Sequence, residues 1–312
     1  MTQTTKAWLQ IHLCVVLWGF TAILGKLITL DALPLVLWRM ALVAVILLLL
    51  PSVLRSLRNL PLRLIGIYTG IGILVTLHWL TFYGAIRLSN ASVAVTCIAT
   101  VPVFLAILEP ILAGRRFQPS ELLLGLMVLP GIVLVVGGTP EDMNAGIVMG
   151  LVSAMFVALF AALNKRHVLK ADALTVTAIE MAAGAVMLII IGLLYQLLPG
   201  LPMVAGIVES PSDLFAFPQG NDLIWLLILA LGCTLLPFAL SLVALRQLSA
   251  YASSLAINLE PLYAIALAIV LLGERQEVSA GFYMGAALIV AVVLIYPWWS
   301  RRGTVLASTT NY

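Results

Sequence analysis

Charge is what this sequence has least of. Asp, Glu, Lys and Arg together make up 9% of its 312 residues, against about 25% in an ordinary soluble domain. A chain of this length could bury a large core, but not with so little polar surface left to cover it, so a soluble globular protein is excluded. The net charge of +3 is too small to suggest a nucleic-acid partner. Cysteine is scarce as well. Cys14, Cys97 and Cys233 lie far apart inside apolar runs, with no disulfide or metal spacing, and read as small buried hydrophobes. There is no phosphate loop, no metal-ligand spacing and no nucleophile–base constellation, so neither an enzyme nor a bound cofactor is expected. The first apolar run follows Lys6 and lacks a small-residue cleavage site, which predicts a retained first span rather than a removed signal peptide.

Apolar sequence is abundant. Hydrophobic residues make up 63% of the chain and mean hydropathy is +1.16. A bilayer core needs about 20 apolar residues per helix. Ten runs meet or approach that length: 8–28, 33–53, 62–86, 90–113, 120–138, 144–164, 173–196, 221–246, 250–272 and 278–299. Gly, Ser and Thr interspersed through them permit close helix packing. The connection from Leu197 to Gly220, with four prolines, Glu209 and Asp213, reads as a surface loop. The expected fold is an all-α integral membrane protein of ten transmembrane helices.

Lys and Arg sort unevenly between alternate connections. One side holds twelve: Lys6, Arg55, Arg58, Arg63, Arg115, Arg116, Lys165, Arg166, Lys170, Arg246, Arg301 and Arg302. The other holds three, Lys26, Arg87 and Arg275, and carries most of the acids, including Glu141, Asp142, Asp213 and Glu274. The excess places both termini in the cytoplasm.

The chain also repeats itself. An offset of 159 aligns Ala85, Arg87, Pro102, Gly114, Arg116 and Ser120 with Ala244, Arg246, Pro261, Gly273, Arg275 and Ser279. Upstream, an offset of 141 aligns Asp31, Ala32, Leu33 and Met40 with Asp172, Ala173, Leu174 and Met181. Two halves, 1–139 and 140–312, would each hold five helices. Five is odd, so the second copy enters the membrane from the opposite face, giving an inverted repeat of the kind that supports alternating access.

The stretch Asn258 to Glu274, NLEPLYAIALAIVLLGE, with Ser279 and Gly285 after it, resembles the second repeat of the EamA-type transporters of the drug/metabolite transporter (DMT) superfamily. Thr100 to Arg116, TVPVFLAILEPILAGRR, resembles the first-repeat counterpart, and AIRLSNASVA and ALRQLSAYASS resemble the boundaries before those helices. The resemblance covers essentially the whole chain. It implies ten helices in two repeats and transport of a small metabolite, usually export. One position departs from the pattern: where the first repeat usually has an acid after its glycine, this chain has Arg115.

Ionisable groups at membrane depth cost about 2.5–3.5 kcal/mol or more and normally face a bundle interior or a wet cavity. Glu260 stands before Pro261, which lacks an N–H and disfavours helix at the preceding residue. A carboxyl beside such a break could couple transport to protons, bind an ammonium group, or only hydrogen-bond the kink. Arg39 stays ionised and needs a carboxylate, from the protein or from a solute. The offset of 141 places Glu180 at the equivalent position, so the pair could clamp a zwitterion, bridge helices, or be a fixed ion pair. His78 could bind substrate, relay a proton or pack. Trp18 lies too deep for an interfacial belt and could line a pore or pack. Glu109, with Pro110, lies near Arg115 and Arg116 and reads as structural.

These readings converge on a secondary active transporter of the inner membrane, exporting small polar or zwitterionic metabolites such as amino acids. Trp18, Arg39, His78, Thr100, Glu180, Asn258 and Tyr263 are the expected substrate-contacting residues and Glu260 the proton-coupling one. The expected partners are the solute, protons as coupling ion and the lipid bilayer. Import of a nucleotide- or sugar-type solute, a passive channel and a lipid-modifying membrane enzyme are the competing readings.

Overall fold

The computed structural model describes residues 2–89, 91–136, 143–198, 207, 215–260, 262 and 263, with isolated residues at 284, 285, 287, 288, 291, 292 and 295. The later part of the ninth run, most of the tenth, Glu274, Arg275 and the tail from Trp298 lie outside the described residues, as do Glu141, Asp142, Glu209 and Asp213. Among the described residues all regular structure is helical.

The first apolar run forms α1 (Gln3–Leu27), whose N-cap Thr2 accepts from the Thr5 N–H. The second is shorter than its apolar extent suggests. The helix α2 spans Ala32–Leu48, and α3 (Pro51–Asn59) then turns away by 87°. The expected span 33–53 is therefore corrected at its inner end. Pro51 disfavours helix at Leu50 and restarts one at its own position, where its missing N–H costs nothing. Next come α4 (Leu62–Leu88), α5 (Ala91–Ile98) and α6 (Val101–Ala113). The single run expected at 90–113 is thus interrupted at Ala99 and Thr100, just before Pro102. Gly114 ends α6 with φ 74°, a left-handed conformation that a side chain disfavours.

The chain continues through α7 (Pro119–Val136), α8 (Asn144–His167) and α9 (Ala173–Leu197). The helix α10 (Asn221–Ala230) runs through a π-turn, Leu231–Leu235, into α11 (Leu236–Leu245). Ser249 caps α12 (Ala250–Ile257). Among the described residues four helices are long and apolar enough to cross a membrane: 62–88, 144–167, 173–197 and 221–244. The bent α2–α3 pair is a fifth if taken as one span.

The core forms where α4, α8 and α9 meet, with α2 against α9 and α6 against α8. Small residues let these backbones approach. A Cβ on Gly72 of α4 would overlap the backbone of Glu180 in α9, and one on Gly184 would overlap Met40 and Thr76. Polar contacts collect at the two ends of the bundle. At one end Asp222 accepts from the Thr29 hydroxyl at 2.6 Å, and Arg87 pairs with Asp31. At the other, Ser56 donates to Asp172 at 2.7 Å, Arg246 to the Ala171 carbonyl at 3.1 Å, and Arg166 to the Leu112 carbonyl at 3.0 Å.

Candidate functional site

A cavity of about 150 Å³ lies between the helices, walled by α1, α2, α4, α5, α8, α11 and α12 with residues Val101 and Glu260. Its lining is mostly apolar and strongly aromatic: Trp18, Trp79, Phe82, Tyr83, Phe160 and Phe238. A few polar groups interrupt that wall, which is the usual composition of a small-molecule site.

Arg39 is the cation of the cavity, 2% exposed. It is reached from α2 and held from two sides. Its Nε donates to the Thr234 hydroxyl at 2.5 Å, Nη1 to the Tyr83 hydroxyl at 3.3 Å and Nη2 to the Cys233 carbonyl at 3.3 Å. The guanidinium carbon sits 4.1 Å from the Trp79 ring centroid, a cation–π arrangement. Among the described residues no carboxylate pairs with it.

Glu260 lines the same cavity and interacts electrostatically with Arg39. Its side chain makes no hydrogen bond or ion pair with a described residue. It follows the interruption after α12, where Asn258 and Leu259 leave the helix.

His78 is fixed by Ser153: the ring Nδ1 lies 2.8 Å from the hydroxyl, which also bonds the His78 carbonyl at 2.9 Å. The hydroxyl has one proton. With that proton on the carbonyl, Nδ1–H is the ring donor and Nε2 keeps its lone pair. The ring lies between Phe82 and Phe160, with centroids 5.9 and 5.8 Å away.

Of the eight residues singled out in the sequence, Trp18, Arg39, His78 and Glu260 line the cavity. Thr100, Glu180, Asn258 and Tyr263 are not among its lining residues. Thr100 turns its hydroxyl to the Cys97 carbonyl at 2.6 Å, and Asn258 donates to the Ala99 carbonyl at 3.2 Å. Glu180 is fully buried behind the wall, touched by Asn164 Nδ2 at 3.4 Å. Arg39 and Glu180 therefore do not form an ion pair.

Among the lining residues that the sequence did not single out, three stand out: Thr21, Asn164 and Ser253. Each has a side-chain oxygen without a partner among the described residues. The available signal was weak, a small polar residue on an apolar helix, which most often bonds its own backbone.

The floor of the cavity includes Leu245 and Ala250, on either side of the α11–α12 turn. Lys165 donates to the carbonyls of Leu245 and Leu248 at 2.7 and 2.8 Å, and Glu109 accepts from the N–H groups of Ala250 and Tyr251, both at 2.9 Å. A cation thus meets the end of one helix and an anion the start of the next, each complementing the helix dipole. Glu109 also pairs with Arg115 at 3.2 Å, and Arg115 with Glu121. Arg115, the departure from the expected acid, thereby bridges two carboxylates. Partial burial alone would lower its pKa, but Glu109 and Glu121 outweigh that and raise it.

The EamA-like transporter family model matches residues 5–137 and 144–296. The chain belongs to the EamA-like transporter family. This EamA protein is an integral membrane transporter of the drug/metabolite superfamily, and transport rather than catalysis is the family's work. Among solved structures, 26 chains match. One, described only as a crystal structure of a protein, is similar over 96% of this chain and 98% of its own, with TM-score 0.71 at 17% identity. That likeness concerns the fold. No curated protein matches the sequence.

Proposed function

We propose that this EamA protein is a secondary active transporter that exports small zwitterionic metabolites, amino acids among them, across the inner membrane by alternating access. One observation carries the reading. Arg39 and Glu260 line one cavity, and neither is neutralised by an ion pair with a described residue. A solute carboxylate completes Arg39, and a solute ammonium or a proton meets Glu260. The aromatic wall, with Trp18 and His78, takes the solute's body. Glu180, Thr100, Asn258 and Tyr263 act behind or beside this contact.

The architecture that serves the reading is ten spans in two inverted five-helix units, 1–139 and 140–312, with both termini cytoplasmic. Matched segments at 5–137 and 144–296 support the division. The interruption of α5–α6 before Pro102 and that after α12 before Pro261 support the repeat, since these positions correspond at the offset of 159.

The test is reconstitution in liposomes with a panel of amino acids and an imposed pH gradient. Saturable, gradient-driven amino acid flux is expected. Flux that neither saturates nor responds to the gradient would leave a passive pore.

A further inference from the structure

The π-turn at Leu231–Leu235 breaks an otherwise continuous run of α-helix, and such turns concentrate at functional positions because they redirect backbone groups. Here the redirected groups meet one side chain. The Thr234 hydroxyl donates its single proton to the Leu229 carbonyl at 2.8 Å, so toward Arg39 it can only accept, and it does so from Nε. The adjacent Cys233 carbonyl accepts from Nη2. The Nε–Nη2 side of the guanidinium is therefore taken up by α10–α11 backbone and hydroxyl. Tyr83 takes one proton of Nη1, and Trp79 covers a face.

A guanidinium has five N–H groups in a planar fork. Three are used, and one is left on each terminal nitrogen. Two parallel N–H groups on one edge match the two oxygens of a carboxylate. Resting on the function proposed above, we infer that the π-turn positions Arg39, and that Thr234 is a specificity-determining residue. It occupies the Nε side so that the Nη1–Nη2 edge faces the cavity and selects carboxylate over uncharged carboxamide. Without Thr234 the side chain can rotate about its long stem, and the two-point contact becomes a single charge contact. Lys at position 39 could not reproduce the arrangement, since its ammonium is a point charge without an edge.

The experiment is transport by the full-length protein in liposomes, with L-phenylalanine as the probe, chosen for the aromatic wall, and L-phenylalaninamide as its control. Thr234→Val keeps the shape and removes the acceptor; Thr234→Ser keeps the acceptor. Loss of one hydrogen bond to a charged group is worth on the order of tenfold. Thr234→Val is expected to raise KM for L-phenylalanine about that much with Vmax near wild type, and to erase the preference over the amide. Thr234→Ser restores both, which a merely destabilised fold would not show. If Thr234→Val keeps wild-type KM and preference while Arg39→Gln loses them, the positioning role is overturned and the carboxylate reading stands. If the wild type moves acid and amide alike, or neither, the carboxylate reading itself falls.

Discussion

Asn258 donates its side-chain amide to the Ala99 carbonyl at 3.2 Å, joining two helix interruptions 159 residues apart. Ala99 sits in the gap between α5 and α6, and Asn258 follows the last residue of α12. Each break frees backbone groups that lipid could not satisfy, and such irregular backbone is tolerated only against protein or a wet cavity. Here the side chain of one break satisfies the other. Asn258→Ala is expected to leave the Ala99 carbonyl unpaired and to cost about 1–3 kcal/mol. A lowered Tm of the purified protein in detergent checks this, and an unchanged Tm would mean that water replaces the amide.

Glu109 is fully buried and holds the start of α12 through two N–H groups while pairing with Arg115. Glu109→Ala leaves two backbone donors without an acceptor and Arg115 with Glu121 alone, so the expected loss is at least about 1–3 kcal/mol, the cost of an unsatisfied buried polar group. Glu109→Gln keeps an acceptor for the backbone and should lose less. Chemical unfolding of the two variants side by side distinguishes them; equal losses would assign the whole effect to the charge.

Much of this arrangement could be read from the sequence, for a physical reason. Apolar runs must become helices in lipid, and charges inside them are costly enough to be conspicuous, so Arg39 and Glu260 stood out. Pro51 and Pro102 stand where α2 and the α5–α6 pair break, but the apolar runs 33–53 and 90–113 pass through them, so neither break was expected, and the 87° turn into α3 depends on what α3 packs against. The π-turn was hidden because Leu231–Leu235 lies within continuous apolar sequence and π-pairing has no compositional signature. Glu109 was expected near Arg115, but its hold on Ala250 depends on a contact between distant segments. Thr21, Asn164 and Ser253 look like ordinary helix residues until the cavity they face is seen.

Asp172 caps α9 by accepting from the Thr175 N–H at 2.9 Å and also receives the Ser56 hydroxyl of α3. Partial burial pushes its carboxyl up, but the bonds from Thr175 and Ser56 outweigh that and hold it below the ordinary aspartate range. The ionised cap therefore contributes fully above the unfolded value of about 4 and is lost as pH falls through the lowered folded value. Asp172→Ala is expected to cost about 1 kcal/mol at pH 7, while Asp172→Asn, also a good cap, costs little. Thermal melts should show the alanine deficit shrinking below about pH 4. A deficit constant with pH would assign the effect to packing instead of the ionised cap.

Arg39 and Glu260 make separable predictions because they face one cavity with different tasks. Glu260→Gln preserves volume and removes the exchangeable proton. It is expected to leave folding intact and to reduce gradient-driven flux by on the order of a hundredfold, toward the lower end of what a positioned proton-transfer group contributes. Exchange of labelled for unlabelled solute at equal pH should survive, since it needs no net proton movement. Arg39→Gln should instead weaken carboxylate-bearing solutes by roughly ten- to a hundredfold in both assays, the worth of a charge-assisted hydrogen bond or two, and spare uncharged ones. Liposome flux with and without a pH gradient separates the outcomes. Wild-type pH dependence in Glu260→Gln would remove Glu260 from coupling. Equal loss of charged and uncharged solutes in Arg39→Gln would show that the guanidinium, with its contacts to Tyr83 and the π-turn, holds the bundle together and does not read the solute.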